Sequence, residues 1–157
     1  MTIYGFYIFD RHCECIYRQK WNQIDVFSDS SSAVSNDSSK EKSRSTNNDE
    51  EKLVFGVVFS LRNMVKKVAG NSEEFLSYST SKYKLHFYET PSNIRMALLT
   101  SPNVENLVYV LHQVYATLYV EFVAKYPLYS GKSKDFSVRI QNRLFDATLD
   151  RFVRTLR

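Results

Sequence analysis

Residues 1–21, MTIYGFYIFDRHCECIYRQKW, decide how this chain folds. Ile3, Gly5, Tyr7 and Phe9 alternate with Tyr4, Phe6 and Ile8, so an extended backbone here carries apolar groups on both faces. A strand of that kind lies inside a sheet and is covered on both sides. Residues 15–21 read as a second strand. Residues 10–14 form the hairpin loop between the two, with Asp10 suited to start its turn.

That loop brings His12, Cys13 and Cys15 together beside Glu14. Structural zinc takes four ligands, usually as two spaced pairs. Here there is one tight cluster and no second half, since His86 and His112 stand far away in sequence. A dithiol redox site places two residues between its cysteines, at a helix N-terminus. Nor do Cys13 and Cys15 suit a structural disulfide, because positions i and i+2 lie too far apart along an extended chain. Cys13 is therefore expected at a loop tip and Cys15 in a strand, with no metal bound. The chain has no other cysteine, so a reducing, cytoplasmic compartment is expected.

Residues 28–50 are a polar insertion in which only Ala33 and Val34 are apolar. So little can be buried there that chain entropy is not offset, and the segment is expected to be disordered. Residues 51–69 predict a helix, with Asp49, Glu50 and Glu51 favourable at its start and Gly70-Asn71 as its stop. Val54, Val57, Val58, Leu61, Val65 and Val68 make one face of it. Strands are predicted over 75–80, 82–90 and 94–100, separated by turns at 80–82 and 89–93. In the second of these, Leu85 and Phe87 alternate with Lys84, His86 and Tyr88, a half-buried pattern. Ser101-Pro102 predicts a helix start, and the helix runs to about Tyr126 on a core of Leu107, Leu111, Val114, Leu118 and Phe122. His112 on it reads as a satisfied, partly buried histidine. A last helix over about 137–156 packs Phe145, Leu149, Phe152 and Leu156. The order is ββαβββαα, and residues 1–157 are expected to form a single domain carrying 28–50 as its insertion.

At 157 residues the chain can bury a core without staples. Residues 28–51 hold six acids against three bases, a net charge of −3 within a total of +4, so the remainder carries +7. That is mildly basic, with no RNP, KH or zinc-finger signature, and no nucleic-acid partner is expected. No apolar run approaches the roughly 20 residues of a membrane span. No signal peptide, myristoylation glycine or prenylation box is visible, so any membrane association is expected through partners or surface charge.

Signatures of catalysis are missing too. The four glycines are scattered, which excludes a phosphate-cradling loop, and there is no GxSxG elbow. No carboxylate pair falls into one cleft by periodicity. No catalytic residue and no cofactor is expected. The unusual element is the first helix, whose stretch LVFGVVFS over 53–60 is apolar nearly all round. A helix like that is buried on more than one side. Packing on a sheet covers the valine row but leaves Phe55, Gly56, Phe59 and Ser60, which read as a partner interface, the alternative being that a loop or the insertion folds over them.

Five stretches carry a family resemblance: YGFYIFDRHCECIYRQKW over 4–21, LVFGVVFSLRNMV over 53–65, FLSYSTSKYKLHFYETPSNIRMALLT over 75–100, VLHQVYATLYVEFVAKYP over 110–127 and FDATLDRFVRTL over 145–156. The chain resembles the small longin-fold subunits of the transport protein particle, TRAPP, over nearly all of its length outside the polar insertion. A glycine often stands in that family where Cys13 stands here. The resemblance implies an α+β longin, or sedlin-like, fold: a five-stranded antiparallel sheet with one helix on one face and two on the other. It implies a non-catalytic subunit of a guanine nucleotide exchange factor for the Rab GTPase of endoplasmic-reticulum-to-Golgi transport, in an assembly that also tethers vesicles. It implies a synbindin-like longin subunit and a Bet-three subunit as neighbours. The location it implies is cytoplasmic, peripheral at cis-Golgi and endoplasmic-reticulum-derived membranes. An adaptor-type small subunit of the same fold, without exchange activity, is the other binding module the fold admits. A SNARE N-terminal domain is disfavoured, because a heptad helix and an anchor are expected to follow one.

Overall fold

The computed structural model describes residues 1–22, 42–70, 74–126 and 139–156, with the backbone alone over 42–48. The opening hairpin forms as its alternation dictates. Strand β1 is Ile3–Phe9 and β2 is Cys15–Lys20, paired antiparallel from Gly5 with Lys20 to Phe9 with Cys15, the register shifting between Ile8 and Phe9. Strands β3 (Ser77–Ser79), β4 (Lys84–Glu89) and β5 (Arg95–Thr100) fall inside the three expected stretches. The five make one antiparallel sheet in the order β2-β1-β5-β4-β3. β1 lies between β2 and β5, the interior place that its two apolar faces require.

Alternation sorts the sheet into two faces. Phe6 and Ile8 of β1 stand beside Leu98 and Met96 of β5, and these join one core with the last two helices. Their helical partners are Leu111, Val114, Leu118 and Val123 on one helix and Phe145, Leu149 and Val153 on the other. The opposite face carries Tyr7, Leu85, Phe87, Ala97 and Leu99, which are buried as well.

Helix α2 occupies Val108–Gln113 and continues as a π-helix over Val114–Ala124. It starts later than Ser101-Pro102 predicts, because residues 104–107 are tied down by side chains. Lys84 Nζ donates to the Val104 carbonyl at 2.8 Å, and the Leu107 N–H donates to His86 Nδ1 at 3.2 Å. Asn106 Oδ1 accepts the Val108 N–H at 3.1 Å, offering the backbone a local alternative to the helix. Helix α3, Arg143–Leu156, also starts later than expected, again at an asparagine. Asn142 Oδ1 accepts the Leu144 N–H at 3.0 Å, while its amide donates to the Phe122 carbonyl at 2.9 Å. Just upstream, the Ile140 N–H donates to the Ile16 carbonyl on the sheet edge at 2.8 Å.

The described contacts divide into two compact units, one built from the sheet and the last two helices, the other containing the first helix. That helix, α1, runs over Lys42–Ala69. This corrects the reading of 28–50 as disordered throughout: residues 42–50 are helical, and 23–41 lie outside the described residues. Once the apolar turns beyond Glu51 have nucleated a helix, extending it backwards through polar residues costs little. Asp49, Glu50 and Glu51 consequently sit inside the helix rather than in its first turn. Gly70 ends it at φ +93°, the left-handed conformation that glycine adopts without a Cβ penalty.

Candidate interaction surface on the first helix

Along α1 the buried row is narrower than the valine spacing suggests. Glu51, Val54 and Val58 are buried, with Leu61 and Val65 half-buried behind them. At 3.6 residues per turn, Val57 and Val68 fall to the edge of that row, and Val68 is 83% exposed. The expected core face therefore loses these two positions.

The four residues expected to form an interface share the other side. Phe55 and Phe59, one turn apart, bring their rings together with centroids 5.8 Å apart and planes at 25°. Phe55 is half-buried, while Phe59 is 46% exposed. Gly56 and Ser60 are exposed beside them, and among the described residues, beyond its chain neighbours and the helix's own backbone, nothing lies within 4 Å of where a Gly56 Cβ would stand. No described residue covers the helix surface there, so another backbone has room to approach it closely. Leu53, Val57 and Met64 extend the exposed apolar surface beyond Ser60. Their spacing of four and seven residues is itself helical, and was the available signal for them.

The hairpin loop resolves into separate contacts. Asp10 Oδ1 accepts the His12 and Glu14 N–H groups at 2.9 and 3.0 Å, and its Oδ2 lies 3.1 Å from His12 Nδ1. Cys13, at φ +67°, places its Sγ 3.6 Å from Arg95 Nη1, whereas the Cys15 thiol donates to the Tyr17 carbonyl at 3.2 Å. Among the described residues no group of three or more His, Cys, Asp or Glu could hold a metal ion.

Several other polar side chains tie elements of the fold together. His86, set by the alternation on the polar side of β4, is instead fully buried. It accepts the Leu107 N–H through Nδ1, which leaves Nε2–H to donate to Thr100 Oγ1 at 2.9 Å. Burial above all, then the Lys84 ammonium, lowers its pKa to about 4, against a hydrogen bond with Asn106 that pulls the other way. Tyr17 donates to Asp146 at 2.9 Å, and burial followed by that carboxylate pushes its hydroxyl well above the usual tyrosine range. Trp21 Nε1, just past the end of β2, donates to Asp150 at 2.6 Å, a second tie from the hairpin to α3. His112, expected to be partly buried, is exposed and meets the Tyr88 ring edge-on at 5.5 Å. No described helix is long and apolar enough to cross a membrane.

Residues 3–156 match the Sybindin-like family model. The chain belongs to the Sybindin-like family. The antiparallel five-stranded sheet and the three helices among the described residues fit the α+β longin, or sedlin-like, fold that the family resemblance implied. It is 52% identical over 157 residues to transport protein particle subunit bet5 of Schizosaccharomyces pombe, covering 99% of this chain and 98% of that protein. Trafficking protein particle complex subunit 1 of Rattus norvegicus is 35% identical over 158 residues, covering 99% and 94%. Trafficking protein particle complex subunit BET5 of Saccharomyces cerevisiae is 32% identical over 163 residues, covering 98% and 96%.

Proposed function

We propose that this Sybindin-like chain is a non-catalytic subunit of a transport protein particle, and that it contributes to a composite surface promoting nucleotide exchange on the Rab GTPase of endoplasmic-reticulum-to-Golgi transport. The near full-length match at 52% identity to a protein named as such a subunit carries the reading. Exchange of this kind asks for no acid, base or nucleophile from the chain. The assembly has to bind the nucleotide-free GTPase more tightly than the loaded one, and that difference in affinity shifts the equilibrium. The neighbours in the proposal are a synbindin-like longin subunit and a Bet-three subunit, and the place is the cytoplasmic side of early Golgi and endoplasmic-reticulum-derived membranes.

The α1 flank supports the interaction half of this reading. Phe55 and Phe59 are large aromatic groups beside the open Gly56 and Ser60 surface, and an interface centre gains most from such anchors. We place the longin neighbour there. The test is purification of the tagged chain from cytosol with its partners identified by mass spectrometry, followed by nucleotide release from the GTPase with the assembly complete and with this subunit left out. Co-purification of TRAPP subunits and loss of release on omission are expected. Full release without the subunit, or co-purification with adaptor large subunits in place of TRAPP, overturns the proposal.

A further inference from the structure

We draw no further inference here: the strongest candidate, the half-exposed aromatic row of Tyr88, His112, Tyr115 and Tyr119 where the fourth strand meets the second helix, is a patch for which nothing in the structure shows what covers it.

Discussion

Cys13 carries a backbone cost that its side chain does little to offset. Its φ of +67° lies in the left-handed region, which costs a residue with a Cβ about 1–2 kcal/mol and glycine almost nothing. Cys13→Gly also loosens the unfolded chain, which takes back part of the gain. A net stabilisation of about 0.5–1 kcal/mol is expected in urea unfolding; a loss of stability instead shows that the exposed Arg95 contact matters more than the strain. His86 works through its protonation state. The fold holds the ring neutral, with a pKa of about 4 against an ordinary 6.5. Above 6.5 its contribution is complete. As pH falls from there towards 4 the unfolded chain takes up a proton that the folded chain refuses, so stability declines by up to about 3 kcal/mol. His86→Gln cannot titrate. It should be less stable at neutral pH, yet lose the pH slope between about 6.5 and 5, above the range where most carboxylates protonate. A slope equal to that of the parent chain assigns the effect to another group. The alternation along β4 set His86 on the strand's polar side, opposite Leu85 and Phe87, and could not show it fully buried, because Thr100 and Leu107 lie well downstream in sequence.

Among elements, the strands were legible and the helix starts were not. A strand announces itself by alternation within a few residues, and all five lie where the alternation and the turns put them. Helix starts depend on which local hydrogen bond wins. Ser101-Pro102 offers a cap followed by a proline, yet Lys84 and His86, reaching from β4, hold the chain until Asn106. Asn142 decides the start of α3 by capping Leu144 while bridging to the end of the preceding helix at Phe122. Both bonds come from one side chain, so Asn142→Ala should cost about 1–2 kcal/mol, near the top of the range for a cap. Asn142→Ser keeps a capping oxygen and gives up only the bridge, so it should fall between the two. Equal stability of all three chains in urea unfolding is the outcome that removes the cap from the account. The length of α1 escaped for the opposite reason. Residues 42–50 have no apolar periodicity of their own, and they are helical as an extension of the turns that follow.

For the whole molecule, the surface left over by the fold is where assembly is expected, and α1 allows a test in which folding and binding respond with opposite signs. The candidate residues were visible in the sequence as the apolar positions that one buried row cannot absorb; Leu53 and Met64 were not, because a second stripe looks like core until exposure is known. Phe59→Ala removes a half-exposed ring and its stacking on Phe55, so the lone subunit should lose no more than about 1 kcal/mol. A ring truncated at the centre of an interface costs about 2 kcal/mol or more, which weakens binding to the longin neighbour roughly 30-fold. Gly56→Leu goes further. With no described neighbour outside the helix itself within 4 Å of the new Cβ, the lone chain is expected to accept the side chain. It also gains about 0.5–1 kcal/mol, since glycine is the weaker helix former in a helix interior. On the proposed interface the same leucine would stand where the neighbour approaches. The expected result is a subunit that melts higher than its parent and binds its partner more weakly. Thermal melting of the lone subunit and titration against the purified neighbour decide it together. If Gly56→Leu binds as well as the parent, the neighbour does not approach this face of α1. If Phe59→Ala unfolds the lone subunit while its folded fraction binds normally, Phe59 belongs to the core.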